Sequence, residues 1–355
     1  MTTHLQKPGH LETPGDLEET GRPDETGRVT LADVAEAAGV SEITVSRVVR
    51  GLANVSPATV FKVEEAIART GYLRNRLAGA MAGAVSNQIA VILPSLSNSV
   101  FADVLNGLEV RLQSAGFHSV LGISNYDSDR ETKLIESLLG WRPAGLVIAP
   151  TELSQRALQL LRRVRVPTVE VMDIDRDPLD MVVGISHRQA GKALAYYLIG
   201  RGYRSFGYVG HDIESDHRAA IRRDGFRAAL CENGLDFETE ATAAAVSSVP
   251  LGRELTAGLL GQGAPRLLYF SNDDMAMGGL FEAMARGLQV PRDLAIAGFN
   301  GLQIGQSAPV ALTTVESHRA LIGQRAADQL LARFAGQAVD RRIDVGFTLL
   351  PGASA

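Results

Sequence analysis

Residues 30–50, TLADVAEAAGVSEITVSRVVR, constrain this chain most, because they predict two short amphipathic helices joined by a tight turn. Thr30 is a preferred N-cap residue, and Asp33 occupies the position of the acid in a capping box. Gly39 can adopt the backbone conformation that ends the first helix, and Ser41 can cap the second. The apolar face of the first helix consists of Leu31, Val34, Ala35 and Ala38.

The second helix of this segment has one apolar and one polar face. Val45, Val48 and Val49 recur at i, i+3 and i+4, so this side must face inward. The outward side carries Glu42, Ile43, Ser46, Arg47 and Arg50. Such a helix is typical of the recognition helix of a helix-turn-helix, which enters the major groove of DNA. Taken alone, the segment could also be an ordinary helical hairpin.

A third helix is predicted within residues 54–72, NVSPATVFKVEEAIARTGY. Ser56 can cap it, Pro57 is favoured at its first position, and Gly71 ends it. Its core face consists of Val60, Val63 and Ile67. We therefore expect residues 28–73 to form a three-helix DNA-binding domain.

The net charge of −5 is unexpected for a DNA-binding protein, but it is unevenly distributed. Residues 1–27 contain six acidic and two basic residues, whereas residues 28–88 contain five acidic and seven basic ones. The positive charge that can attract phosphate is therefore local and modest. Because residues 1–27 are rich in Gly, Pro and acids, we expect a disordered acidic tail. That tail is either a solvating extension or a brake on non-specific DNA binding.

Length and composition indicate an ordinary soluble protein of two or three folded units. No apolar run reaches the ~18 residues needed to span a bilayer, and the amino terminus lacks the apolar core of a secretory signal. The single cysteine, Cys231, excludes an internal disulfide framework and indicates a reducing compartment. We expect a cytoplasmic protein, associated with the nucleoid when bound to DNA and without a membrane partner.

After an Ala- and Gly-rich linker at 74–88, short apolar strands alternate with amphipathic helices. Strands are predicted at 89–93, 118–123, 145–150, 167–172, 181–185, 205–210, 266–271, 294–299 and 343–351, and helices include 101–116, 130–140, 188–202, 276–287 and 318–335. Continuous Val, Ile and Leu strands between helices predict parallel sheets covered on both faces. We expect an effector-binding and dimerisation domain at 89–351 with two doubly wound subdomains, formed by 89–185 with 316–336 and by 186–313 with 340–351.

Polar loops follow these strands, where doubly wound folds bind ligands. Arg218 and Arg222 lie four residues apart, so their guanidinium groups can share one helical face and clamp an anion. The other candidates offer hydroxyl, amide or carboxylate groups and one aromatic wall: Ser95, Phe101, Asn272, Asp273 and Asn300. Each has a structural alternative: Arg222 as a surface charge, Phe101 as core and Asp273 as a helix cap. Together they favour a small polyhydroxy acid.

The array VTLADVAEAAGVSEITVSRVVRG…VSPATVFKVEEAIARTGYLRNRLA closely resembles the amino-terminal domain of LacI/GalR-family transcription repressors. The resemblance extends over residues 28–351, with the motif NDxxAxG at 272–278 and VPxDxxIxGF at 290–299. It implies an α/β fold in which a three-helix helix-turn-helix domain precedes a two-subdomain, periplasmic-binding-protein-like domain. It also implies that the linker at 74–88 is a hinge helix, with Met81 as a minor-groove wedge and Asn75, Arg76 and Ala78 around it. A plain flexible linker is the alternative.

Two departures from the family pattern bear on the ligand. Asn300 replaces the usual aspartate after GF, and Ser186 and His187 replace the usual Asp-Asn near residue 185. These losses argue against an ordinary neutral-hexose site. Other segments, among them LPSLSNSVFADVLNGLE and FSNDDMAMGGLFE, look like those of the gluconate-operon repressors of this family. The resemblance implies that Arg218 and Arg222 meet a gluconate-like carboxylate. Hydroxyl groups would bind Asn272, Asn300 and Ser95, with Glu170 and Asp173 as further candidates.

The implied mechanism is repression by a homodimer on a pseudo-palindromic operator, and a higher oligomer remains open. Glu42, Ile43 and Arg47 would read base edges. Hydroxyl and amide groups would contact phosphates, from Thr30, Ser41, Thr44, Ser46, Asn54 and Ser56. Effector binding would close the cleft and weaken operator binding, and no cofactor or metal is expected.

Two other classes of function are less well supported. A transport receptor would share the large domain, but the helix-turn-helix and the missing export signal oppose it. An enzyme on a doubly wound fold would need chemistry that the sequence lacks, since no GxGxxG follows a strand and neither a P-loop nor a nucleophile elbow occurs. The seven histidines also show no metal-ligand spacing.

Overall fold

A computed structural model describes residues 29–52, 55–73 and 86–355. The chain divides into two compact units, Met1–Ala84 and Val85–Ala355. In the described residues, no helix is long and apolar enough to cross a membrane.

The described residues of the amino-terminal unit form three helices, α1 (Leu31–Ala38), α2 (Glu42–Val49) and α3 (Pro57–Thr70). The predicted capping box of α1 is present, because Thr30 Oγ1 accepts the Asp33 N–H while the Asp33 carboxylate accepts the Thr30 N–H. Gly39 has a φ of 63° and ends α1, as predicted. The helices enclose a small core of Val34, Ala35, Val45, Val63 and Ala66.

The large unit alternates strands and helices throughout. The first half contains β1 (Gln88–Leu93), α4 (Ser99–Ser114), β2 (His118–Ile123), α5 (Ser128–Gly140), β3 (Gly145–Ile148), α6 (Gln155–Val164), β4 (Thr168–Asp173) and β5 (Met181–Ile185). The second half contains α7 (His187–Gly200), β6 (Phe206–Gly210), α8 (His217–Glu232), β7 (Phe237–Thr242), α9 (Val249–Gln262), β8 (Leu267–Phe270), α10 (Asp273–Ala285), β9 (Ala295–Ala297) and α11 (Gln303–Gln306). The chain closes with β10 (Thr314–Glu316), α12 (Arg319–Phe334), β11 (Arg342–Asp344) and β12 (Thr348–Leu350).

Two parallel sheets define two subdomains, as the strand pattern predicts. The first has the order β11-β5-β4-β3-β1-β2, and the second has the order β7-β6-β8-β9. A short antiparallel pair, β10 and β12, lies beside the second sheet, where isolated bridges join residues 297 with 313 and 300 with 316. Apolar side chains are buried on both faces of each sheet, which explains why the strands read as continuous apolar runs.

One strand of the second sheet was not predicted from the sequence. β7 has the sequence FETEAT, in which half-buried and exposed residues alternate. It lies at the edge of the sheet and pairs only with β6 among the described strands. An edge strand can carry charged residues on its open side, so it lacks the apolar run that identifies the central strands.

The structure corrects the predicted carboxyl-terminal boundary. Residues 343–351 were expected to form one strand within a segment, 340–351, of the second subdomain. Instead, β11 pairs with β5 in the first sheet, and only β12 pairs with β10. The break occurs at Gly346, whose φ is 68° and whose N–H bonds to the Asp344 carboxylate at 2.8 Å. The chain therefore crosses between the subdomains after β5, β10 and β11.

Helices α4 and α12 approach each other unusually closely on the first sheet. A Cβ built on Gly323 would lie 2.0 Å from the carbonyl oxygen of Val104. A Cβ built on Gly107 would lie 2.1 Å from the carbonyl oxygen of Ala320. Both obstacles are backbone atoms, so neither can be relieved by a side-chain rotation.

We expect the substitution Gly323→Ala to lower the free energy of unfolding by about 1–3 kcal/mol, because α4 and α12 would have to separate. Urea unfolding followed by circular dichroism measures this change. Gly258→Ala is the matched control, since Gly258 lies inside α9 and a Cβ added there would have no atom within 4 Å. It should leave stability unchanged or raise it slightly. Equal effects of the two substitutions would contradict the close-packing argument.

Candidate DNA interface and effector cleft

The recognition face predicted for α2 is exposed in the structure. Ile43 is 68% exposed, and Glu42, Arg47 and Arg50 are also exposed. On the opposite side, Val45 is fully buried, with Val48 and Val49 packed partly against the same core. The exposed face of α2 thus carries one acidic, one apolar and two basic side chains, which can contact a groove of DNA.

Three of the hydroxyl residues predicted to contact phosphate, Thr30, Ser41 and Ser56, are helix caps. Ser41 Oγ accepts the Thr44 N–H at 3.3 Å, and Ser56 Oγ accepts the Thr59 N–H at 3.2 Å. The Thr30 hydroxyl donates to Asp33 at 2.7 Å, so its proton is already used within the protein. The phosphate contact of Thr30 stays a prediction. Backbone N–H groups at the starts of these helices are the alternative donors.

Several DNA-contact predictions fall outside the described residues. They concern Asn54, Asn75, Arg76, Ala78 and Met81, together with the acidic tail at 1–27 and most of the hinge at 74–88.

Arg222, on α8, is buried within the second subdomain and is 5% exposed. Its Nη2 donates to the carbonyl oxygen of Ser271 at 3.0 Å, and its Nη1 lies 3.3 Å from His187 Nδ1. The guanidinium carbon is 4.5 Å from the ring centroid of Phe299, which provides a cation–π contact. Burial therefore excludes the surface-charge alternative for this arginine.

Arg218, one turn earlier on α8, extends across the cleft and is 3% exposed. Its Nη1 donates to the carbonyl oxygen of Pro150 in the first subdomain at 3.0 Å. The guanidinium carbon also lies 5.5 Å from the ring centroid of Phe101, which is 2% exposed and part of the core of the first subdomain, so its role as an aromatic wall stays a prediction. Asp216 Oδ1, at 3.6 Å from Arg218 Nε, provides a partial counter-charge.

Two predicted asparagines lie next to the groups that hold Arg222. Asn272 follows Ser271 directly and caps α10, since its Oδ1 accepts the Met275 N–H at 3.0 Å. Asn300 follows Phe299 and has a φ of 111°, a conformation that L-residues rarely adopt. Such strain is common at ligand sites, and both asparagines are buried.

Asp273 has a different role from the one predicted. It is fully buried, and its Oδ1 accepts the Thr314 hydroxyl proton while its Oδ2 accepts the Leu302 N–H, each at 2.7 Å. Burial raises its pKa to about 6, although both hydrogen bonds oppose the rise. Because both oxygens accept hydrogen bonds within the protein, Asp273 braces β10 and the loop after β9.

The remaining candidates belong to the first subdomain. Ser95 Oγ lies 2.9 Å from Ser97 Oγ and accepts the Asn98 N–H at 3.3 Å. Glu170 accepts the Leu179 N–H at 2.7 Å, and burial raises its pKa. Burial also raises the pKa of Asp173, whose Oδ2 lies 3.7 Å from His217 Nε2 across the cleft.

A cavity of about 630 Å³ opens at the mouth of the cleft. The residues that line it come from both subdomains and are mostly polar: Ser97, Asn98, Asn125, Tyr126, His211, Asp212, Ser215, Asp216, residues 244–249 and Asp274. None of the predicted effector residues lines this cavity. Two of them contact its lining, since Phe101 neighbours Tyr126 and Arg218 neighbours Asp216.

Sequence reasoning missed the residues that connect this cavity to the arginines. His211 Nδ1 lies 2.9 Å from Ser271 Oγ, and its Nε2 lies 3.2 Å from Asp216 Oδ2. Burial opposes ionisation of Asp216, but the His211 hydrogen bond and the charge of Arg218 hold its pKa well below the usual range. The sequence offered one indication of this role. His211 directly follows the strand predicted at 205–210, and doubly wound folds bind ligands at such strand ends.

The described residues contain no group of three or more His, Cys, Asp or Glu placed to hold a metal ion. The cleft instead combines two buried cations, hydroxyl and amide groups and aromatic surfaces. This combination can bind a small anion that also carries hydroxyl groups.

Comparisons with known proteins identify relatives of both the amino-terminal unit and the large unit. Residues 30–75 match bacterial regulatory proteins of the LacI family, and residues 86–348 match periplasmic binding proteins and the sugar-binding domain of that family. The HTH-type transcriptional regulator GntR of Pseudomonas aeruginosa is 39% identical over 325 residues, which cover 90% of this chain and 94% of that protein.

Comparison with solved structures also identifies regulators of this kind. A LacI-family transcriptional regulator from Silicibacter pomeroyi has a TM-score of 0.88 and 38% identity, covering 92% of this chain and 99% of that one. The lac repressor dimer bound to operator has a TM-score of 0.80 and 27% identity, covering 92% and 99%.

A helix-turn-helix unit joined to a two-subdomain ligand-binding unit defines the class of effector-responsive DNA-binding regulators. The chain belongs to the LacI family of bacterial regulatory proteins. The predicted fold class is confirmed, and so is the prediction of a transcriptional regulator rather than an enzyme.

Proposed function

We propose that this regulator is a homodimeric repressor whose operator affinity falls when a gluconate-like sugar acid binds in the cleft. The pair of buried guanidinium groups, Arg218 and Arg222, carries this proposal. Burying two cations is costly unless anions or strong acceptors surround them. An acidic effector supplies such an anion, whereas a neutral sugar does not.

The acid specificity rests on the contacts of the two arginines. Each guanidinium is stacked on an aromatic ring and donates to one backbone carbonyl, so its orientation is fixed before a ligand arrives. A carboxylate placed between them would form charge-assisted hydrogen bonds, which are about twice as strong as neutral ones. Asn272, Asn300 and Ser95 would then bind the hydroxyl groups, with Glu170 and Asp173 as further candidates. Another sugar acid, such as idonate or 2-ketogluconate, is the alternative effector.

DNA reading is assigned to the exposed face of α2. In a homodimer, two such helices enter successive major grooves of a pseudo-palindromic operator. Arg47 would donate to guanine, Ile43 would contact a thymine methyl group, and Glu42 would accept from cytosine. Ser41, Thr44, Ser46 and Ser56 lie at or near helix starts, where they would fix the register on the phosphates. The hinge around Met81 would wedge into the minor groove.

Coupling between effector and DNA would use the contacts that cross the cleft. Arg218 on α8 reaches Pro150 and Phe101, and His217 on the same helix reaches Asp173. An anion bound at Arg218 changes the charge balance of this interface and so changes the preferred closure of the two subdomains. A ligand can shift closure only by its difference in affinity for the two arrangements.

The direct test of the effector class is calorimetric titration of the purified chain with gluconate, 2-ketogluconate, idonate, neutral glucose and ribose. We expect saturable binding of at least one acid and none of the neutral sugars. Binding of a neutral sugar with no acid bound would refute the proposal.

We expect Arg222→Ala to weaken gluconate binding by more than about 30-fold, because truncating one partner of a buried charge pair typically costs 2–5 kcal/mol. Operator binding without gluconate should be unchanged. Arg223→Ala is the matched control, since Arg223 is adjacent on α8 but pairs with Asp224 at the surface. Retained response to gluconate in Arg222→Ala would show that the site assignment is wrong.

The role of Arg47 is tested on an operator selected from random duplexes by the purified chain. We expect Arg47→Ala to cost about 1–3 kcal/mol on that operator and to lose the preference at one base pair per half-site. Arg50→Ala removes the same charge from the end of α2 and should weaken binding uniformly across sequences. Identical base preferences in wild type and Arg47→Ala would contradict the assignment.

A further inference from the structure

His187, the first residue of α7, lies at the inner end of the cleft beside Arg222. It is 1% exposed, and its ring centroid is 6.0 Å from that of Phe299, the ring on which Arg222 stacks. The sequence marked this residue only as a departure from the family pattern. Its contacts determine which of its ring nitrogens carries a proton.

The arginine fixes the tautomer of His187. Arg222 Nη1 lies 3.3 Å from His187 Nδ1, and a guanidinium can only donate a hydrogen bond. Nδ1 must therefore be the acceptor, which leaves the single proton of a neutral ring on Nε2. Burial lowers the pKa of His187 well below its usual value, and the charges of Arg222 and Arg218 lower it further. The ring is therefore neutral, with an N–H donor at Nε2.

That donor has no hydrogen-bond partner among the described residues. A buried donor without a partner is costly, and native proteins rarely retain one without a functional reason. Two guanidinium nitrogens, Arg218 Nη2 and Arg222 Nε, are also buried without a hydrogen-bond partner among the described residues. These nitrogens and His187 Nε2 are donors that lack an acceptor, as a site for an acceptor-rich anion requires.

We propose that His187 is a specificity residue that donates its Nε2–H to an oxygen of the acid end of the effector. This inference rests on the proposed function, since it assumes an acidic effector held by Arg222. The histidine acts in two ways: its Nδ1 orients the Arg222 guanidinium, and its Nε2 contacts the ligand. A neutral sugar places no anionic oxygen there, so the residue favours acids over their neutral counterparts.

The test separates the two nitrogens by substitution. Asn places its amide near the position of Nδ1, so His187→Asn can still accept from Arg222 but loses the Nε2 donor. Gln places an N–H near the position of Nε2, so His187→Gln retains a donor towards the ligand. His118→Asn, at an exposed histidine on β2, is the matched control.

Each variant is titrated with gluconate and with gluconamide, which has the same chain but a neutral amide instead of the carboxylate. We expect His187→Asn to lose about 10- to 100-fold in gluconate affinity, as for one hydrogen bond to a charged group. Its preference for gluconate over gluconamide should shrink, whereas His187→Gln should recover most of both. Thermal unfolding and operator binding without ligand should match those of the wild type.

The results discriminate between explanations. Wild-type gluconate affinity in His187→Asn would overturn the proposal, and so would an equal loss for gluconate and gluconamide, because that marks a purely structural role. If the wild type binds no sugar acid, the proposed effector class fails and the role of His187 fails with it. ¹⁵N spectra of the histidine ring give a second check, since a proton on Nδ1 rather than Nε2 would also refute the assignment.

Discussion

The structure depends on the burial of two arginines from one helix at the junction of two subdomains. Arg222 is held within the second subdomain by Ser271, His187 and Phe299, whereas Arg218 reaches into the first subdomain. Arg218 has carboxylates around it, since Asp216 Oδ1 lies 3.6 Å from its Nε, and Glu131 and Asp173 also interact with its charge. The contacts of Arg222 are uncharged groups, namely the Ser271 carbonyl, His187 Nδ1 and the Phe299 ring, so an additional anion would be stabilised most at Arg222.

In the proposed mechanism, the charges in the cleft connect binding of the effector to closure of the two subdomains. In the proposed function, Arg222 and His187, which belong to one subdomain, would recognise the ligand, while Arg218 and His217 form contacts to the other subdomain. The same anion can therefore be bound and sensed by neighbouring residues on α8. The chain passes between the subdomains at three crossings, after β5, β10 and β11, and closure would turn about these connections.

Most of the fold could be predicted because its signals are local. Thr30, Asp33 and Gly39 mark the ends of the first helix, and the apolar runs mark the central strands. β7 escaped prediction because an edge strand needs no apolar run. The sheet to which β11 belongs was predicted wrongly because its pairing with β5 is a long-range contact. The arginines could be predicted from their i, i+4 spacing. The bracing role of Asp273 could not be predicted, because its partners Leu302 and Thr314 are distant in sequence. The tautomer of His187 could not be predicted either, because it depends on the distant Arg222.

The most direct test of the central claim is the affinity of gluconate for the free protein and for the protein saturated with its selected operator, both measured by calorimetry. Thermodynamic linkage requires that operator weaken gluconate binding by the same factor by which gluconate weakens operator binding. The account predicts two equal factors, each greater than about fivefold. Equal gluconate affinity with and without operator would contradict it.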